Sequence, residues 1–214
     1  MKKYYLTALA LILVISGLIF SPVITANQTF KDVPNTHRFN AEISYLSNLG
    51  VVSGVGNGNY EPDAIVTRAA AAAMIGRALK LDGTQRNTRF PDVKDGNNAS
   101  GFIESAAALG IITGFPTGEF RPSQPVTRGQ MAIFLSRAFK LEQESEQSFI
   151  DLRESMSSYI HVKRILAANI TQGYPGGTFR PDQQITRGEF AALLARALDD
   201  KFKKDIVPEP IKIE

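Results

Sequence analysis

Arginine recurs at Arg68, Arg128 and Arg187, spaced 60 and 59 residues apart, in nearly the same words each time: IVTRAA, VTRGQM and ITRGEF. Each arginine follows a threonine and opens a run with helical periodicity. After Thr186, for example, Phe190, Leu193, Leu194 and Ala197 fall on one face. The threonine reads as an N-cap, which places the arginine at the first helical position. A cation is mildly unfavourable there, because the helix dipole already presents positive charge. The chemistry such a position offers is anion binding. Free N–H groups at a helix start favour a negative group, and a guanidinium beside them adds a bidentate, permanently charged partner. Asp32, Asp92 and Asp151 also recur once per repeat, and offer an internal alternative in which an Arg–Asp pair ties neighbouring repeats together. The residues leave both roles open.

Catalytic chemistry has less to stand on. The chain has no cysteine and two histidines, which excludes disulfides, thiolate sites and a His-rich zinc site. His37 and His161 stand near helix starts in different repeats, outside any HExxH or GxSxG context, and read as surface residues. Gly54, Gly56 and Gly58 resemble a phosphate loop, but they precede no βαβ unit and read as a turn. Glu189 and Gln130 fit the capping box with Thr186 and Thr127, whereas Ala70 at the same place denies the first repeat that reciprocal bond. The chain is therefore expected to be no enzyme, with no cofactor and no metal.

The elements that must position the arginines come in three units. Each opens with an aromatic and an aspartate: FKDV from Phe30, FPDV from Phe90, FIDL from Phe149. A first helix follows, marked by Ile43, Leu46 and Leu49, then by Ile103, Ala106, Ala107 and Leu109, then by Val162, Ile165, Leu166 and Ala168. A Gly- and Pro-rich turn comes next, aligning Gly54, Gly114 and Gly173 and, six residues later, Tyr60, Phe120 and Phe179. The second helix then begins at the threonine and carries one apolar stripe: Ala71, Met74, Ile75 and Ala78, or Met131, Phe134, Leu135 and Ala138, or the Phe190 set. A two-helix unit with one stripe cannot bury it alone, so three second helices facing one another are expected to share a core. The fold class is all-α, three helix-loop-helix repeats over 29–88, 89–147 and 148–198.

The ends read differently. Lys2 and Lys3 precede an apolar run from Leu6 to Phe20, with Ala26 as the small residue, so 1–26 reads as a secretory signal peptide. Its removal takes Lys+Arg from 24 to 22 against 21 acidic residues, so the mature charge of about +1 supports no bulk nucleic-acid affinity. Residues 199–214, charged and Pro-containing without apolar period, read as a disordered tail.

The combined pattern resembles the S-layer homology domain: the aromatic-x-Asp-Val opening, the GIITGFPTGEFRP type of turn and the Thr-Arg helix start cover residues 29 to 198 as three tandem repeats. The resemblance implies a pseudo-threefold, three-pronged bundle with each prong made from one repeat. It also implies a secreted, monomeric module that holds proteins at the Gram-positive cell surface through an anionic secondary wall polysaccharide, often pyruvylated, seated in grooves between prongs. Carried onto this chain, the ligand contacts would come from Arg68, Arg128 and Arg187, from Asp32, Asp92 and Asp151, and from Gly114, Phe115, Gly173 and Tyr174. Two alternatives are an accessory part of a wall hydrolase and a subunit that meets other surface proteins. The family commonly has a tryptophan after the opening. This chain has none and places Arg38 and Phe39, Phe102 or Tyr159 in that region. Unequal grooves are expected, with the first repeat's motif the weakest.

Overall fold

A computed structural model of the chain describes residues 30–203. The expected signal peptide and residues 204–214 of the expected tail lie outside them. The elements run α1 (Asn40–Asn48), α2 (Arg68–Ala78), α3 (Ser100–Ala108), α4 (Arg128–Ala138), α5 (Tyr159–Ala167) and α6 (Arg187–Leu198), and close on a short 3-10 helix, Asp200–Phe202. There is no strand among the described residues, only isolated bridges. The fold is all-α in three helix-loop-helix repeats, as the periodicity requires.

The helix ends follow from local chemistry. Thr67, Thr127 and Thr186 are N-caps whose side chains accept from the third helical N–H, and α4 and α6 have the full capping box that α2 lacks. First helices end on Gly50, Gly110 and Asn169 with positive φ. At α1, Gly50 N–H donates to the Ser47 carbonyl and Val51 N–H to that of Leu46, the paired bonds of a Schellman cap.

The threefold arrangement is closed by hydrogen bonds. Val66 N–H donates to the Ile185 carbonyl at 3.0 Å, Val126 to Val66 at 2.9 Å, and Ile185 to Val126 at 3.0 Å. These three residues precede the N-cap threonines of the three repeats, and all are fully buried. Burial of each such side chain contributes roughly 1.5–3 kcal/mol. The ring needs all three repeats.

Helices pair across repeat boundaries: α2 lies on α3, α4 on α5, and α6 on α1. A prong thus joins the second helix of one repeat to the first helix of the next, which differs from the expectation of one prong per repeat. The cause is that each second helix reaches over its neighbour, while each repeat is held to itself by its opening. Phe30 packs on Tyr60 (5.3 Å between ring centroids), Phe90 on Phe120 (5.2 Å) and Phe149 on Phe179 (5.5 Å). The segment that follows α6 is not tail from its start. Residues 199–203 form the 3-10 turn, and the Phe202 ring sits 4.9 Å from that of Tyr45 on α1.

Candidate functional site

The three helix starts are already satisfied by protein. Arg68 N–H donates to the Gln124 carbonyl (2.9 Å) and Ala69 N–H to that of Pro122 (2.9 Å). The same pair recurs as Arg128 to Gln183 and Gly129 to Pro181 (2.8 Å each), and as Arg187 to Ala64 and Gly188 to Pro62 (2.8 and 2.7 Å). The third N–H goes to the cap threonine. The anion that the helix start favours is therefore replaced by carbonyl oxygens of the neighbouring repeat.

The arginine side chains follow the same route. Arg68 Nε donates to the Phe120 carbonyl at 2.7 Å and Nη2 to that of Thr113 at 2.7 Å. Arg128 Nε donates to Phe179 O at 2.9 Å. Arg187 donates to Tyr60 O (2.9 Å) and Ser53 O (3.0 Å), which closes the third repeat on the first. Arg68 and Arg128 are 3% and 5% exposed, while Arg187 is half-buried. Burial pushes the Arg68 pKa down to about 10, with Arg121 adding to that and Asp92 opposing it, so the group stays charged at neutral pH. Its charge is spread over carbonyl dipoles and rings, with Phe120 at 4.7 Å and Phe115 at 4.8 Å.

The aspartates are spent inside their own repeats. Asp32 accepts from Tyr60 and Glu61 N–H (2.8 and 2.7 Å), Asp92 from Phe120 and Arg121 (2.8 and 2.6 Å), and Asp151 from Phe179 and Arg180 (2.8 and 2.7 Å). Glu61, Arg121 and Arg180 have positive φ, and the carboxylate holds that strained turn in place. For Asp32 and Asp92 burial raises the pKa, but the backbone donors outweigh it and hold both carboxyls below their ordinary value. The Arg–Asp pairing between repeats does not form among the described residues. Gly114 is a packing glycine, since a Cβ there would stand 2.6 Å from the Phe90 ring. Gly173, with φ +71°, has the same relation to Phe149.

Phe115 is stacked between Arg68 and Arg121 (4.8 and 4.3 Å), and Tyr174 between Arg128 and Arg180 (4.6 and 4.2 Å). The first repeat has Val55 and Glu61 at these places, so its turn lacks the sandwich. This is the inequality between repeats that the sequence implies.

Among the described residues, a pair of equivalent grooves lies between prongs. The first, about 280 Å³, has α2 as its floor (Ala70, Ala73, Met74, Arg77), Asn97 to Ala99 opposite, and Arg187 at its end. The third, about 200 Å³, has Glu189, Ala192, Leu193 and Arg196 of α6, Arg38 and Phe39 opposite, and Gly173, Tyr174 and Arg128 at its end. The structure thus brings Arg128, Gly173 and Tyr174 together in one groove and Arg187 into another. It leaves Asp32, Asp92, Asp151, Arg68, Gly114 and Phe115 out of both linings. On α4 Ile133 stands where the two grooves have Ala73 and Ala192, and Phe134 stands where they have Met74 and Leu193; Phe134 lies under Arg68 (5.7 Å).

Sequence reading missed a second arginine series: Arg77, Arg137 and Arg196, nine residues after each motif arginine. Its spacing of 60 and 59 was visible beside the first series. His161, read as a surface residue, is half-buried with Nδ1 3.1 Å from Ser136 Oγ on α4. No cluster of three or more His, Asp or Glu among the described residues could hold a metal ion.

Comparison with known proteins finds the same repeats. Residues 29–72, 89–132 and 148–191 each match the S-layer homology domain. A cellulosome-anchoring protein of Acetivibrio thermocellus is 28% identical over 82% of this chain and 40% of its own length. A surface-layer 125 kDa protein of Lysinibacillus sphaericus is 29% identical over all of this chain and 18% of its own. An endoglucanase of a Bacillus species is 31% identical over 92% of this chain and 22% of its own. The chain thus spans less than half the length of each of these relatives.

Proposed function

Since this chain belongs to the S-layer homology domain family through three tandem repeats, we propose that it is a non-catalytic module that anchors protein to the cell surface by binding an anionic secondary wall polysaccharide in the first and third grooves. The observation that carries this reading is the pair of equivalent grooves, each with an alanine in its helix floor, amide or aromatic groups opposite, and at least two arginines in its lining. At about 280 and 200 Å³, each is smaller than the roughly 300–1,000 Å³ of pockets that engulf a small molecule. That size suits one or two residues of a longer chain entering from the side. Tyr174, Gly173 and Arg128 frame the third groove, and Arg187 the first. The names of the relatives, an anchoring protein and a surface-layer protein, agree with a surface role. On this reading the protein works outside the cell, as a monomer and without a cofactor.

The test is cosedimentation. The chain from residue 27 onward should pellet with sacculi that keep their secondary polymer and stay in solution with sacculi stripped of it. Equal pelleting with both would remove the polymer from the reading.

A further inference from the structure

Each motif arginine gives its Nε–H to a carbonyl oxygen of the neighbouring repeat and lies against an aromatic ring, which leaves open what meets the charge of an anionic ligand. The second arginine series supplies the candidates. Arg77 is exposed in the first groove, and among the described residues its one partner is the Phe102 ring, 5.4 Å away. Among the described residues no carboxylate lines that groove. In the third groove Arg196 donates a single bond from Nη1 to the Ile170 carbonyl at 3.2 Å, while its Nε is buried with no acceptor. Burial pushes its pKa down, and the charge of Glu42 on α1 opposes that. Glu189, the one carboxylate in the lining, has both oxygens taken: Oε1 by the Tyr174 hydroxyl at 2.9 Å and Oε2 by Thr186 N–H at 3.1 Å. Arg38 adds another cation there, stacked on Phe39 at 4.4 Å. Concave surfaces lined by cations without free counter-charges concentrate anions, and a planar guanidinium suits a carboxylate.

We infer that Arg77 in the first groove and Arg196 in the third are the side chains that meet a carboxylate on the bound sugar, while the motif arginines behind them hold the ring of repeats shut. This rests on the wall-polysaccharide reading above and names its charge-recognising residues. Arg137 is the third member of the series, on α4, where Ile133 stands in place of the alanines Ala73 and Ala192.

The experiment uses two probes, soluble polysaccharide released from sacculi and the same polymer with its carboxylates reduced to alcohols. Binding is measured by calorimetry for the parent, Arg77→Gln, Arg196→Gln, the double variant and Arg196→Lys, each checked for an unchanged melting curve. The parent should prefer the native polymer. Each Gln variant should lose roughly ten- to hundredfold at its own groove and keep the other groove at the parent's affinity, the double variant should lose that much at both, neither should lose anything on the reduced polymer, and Arg196→Lys should recover part of the loss. A parent that binds neither probe refutes the wall-polysaccharide reading itself. A parent that binds both probes equally, or Gln variants that weaken on both or on neither, leaves that reading standing and overturns the assignment of Arg77 and Arg196.

Discussion

At the scale of single residues, the motif arginine is costly at a helix start and is compensated from another repeat. Its partners are carbonyl oxygens 52 residues away for Arg68 and 127 for Arg187, together with aromatic faces. Hydrogen bonds from a charged donor contribute about 1.5–3 kcal/mol, so Arg128→Ala, which also leaves a cavity beside Tyr174 and Phe179, should cost roughly 2–4 kcal/mol in urea unfolding. Arg187→Ala, at a half-buried site, should cost less. A melting curve unchanged by Arg128→Ala would contradict the clamp. The aspartates make a second prediction. The folded carboxyls of Asp32 and Asp92 titrate below their unfolded value, so the stability they contribute is present above that value and is lost as pH falls through the folded pKa. Unfolding free energy should therefore decline as pH drops from about 5 to below 4, and Asp92→Asn should start lower and flatten the decline. An equally steep decline in the variant would place the titration elsewhere. The caps were legible in the sequence because capping is local: Thr127 and Gln130 are three residues apart. The partners of Arg68 were not, because its acceptors belong to a different repeat and are backbone atoms, which carry no residue signature.

At the scale of elements, the second helix of each repeat does two things. Its start inserts into the central ring, and its body lies on the next repeat's first helix. The apolar stripes found the buried centre of each second helix, since Ala71 and Ile75, Met131 and Leu135, Phe190 and Leu194 are all fully buried, while Ala78, Ala138 and Ala197 at the stripe ends are half-buried. Periodicity says which face is buried but not which neighbour covers it, so pairing across the repeat boundary stayed hidden until α2 was seen on α3. That pairing sharpens the behaviour expected of a truncated chain. Removal of everything from Phe149 onward deletes Ile185, which accepts from Val66 and donates to Val126, and takes away both α6 and the α5 face on which α4 lies. The ring would be left with one bond of three, and α1 and α4 would lose their covers. The two-repeat chain should thus show weak helical circular dichroism and no cooperative transition, while the full chain unfolds in one step. A sharp transition in the truncated protein would show that each repeat carries its own core.

At the scale of the whole molecule, threefold pseudo-symmetry supplies three seams, and the sequence makes them unequal. The grooves over α2 and α6 have alanine at Ala73 and Ala192, whereas α4 has Ile133. The same fold therefore already accepts isoleucine at this position, half-buried on a helix of equal register. That makes Ala73→Ile and Ala192→Ile suitable probes of the grooves, since helix propensity changes by less than about 0.7 kcal/mol. Each should narrow its groove and shift the melting temperature by only a few degrees. Two sites on one rigid body also bind a polymer better than one, because the second contact is made at high effective concentration. On sacculi, which present many polymer chains, either substitution alone should weaken binding by about tenfold or more. The double substitution should abolish cosedimentation, a loss larger than either single change predicts. With short, soluble polysaccharide that reaches one groove at a time, the single variants should instead halve the stoichiometry and leave the remaining affinity near that of the parent. Full retention of sacculus binding by the double variant, with its fold intact, would move the wall contact away from both grooves.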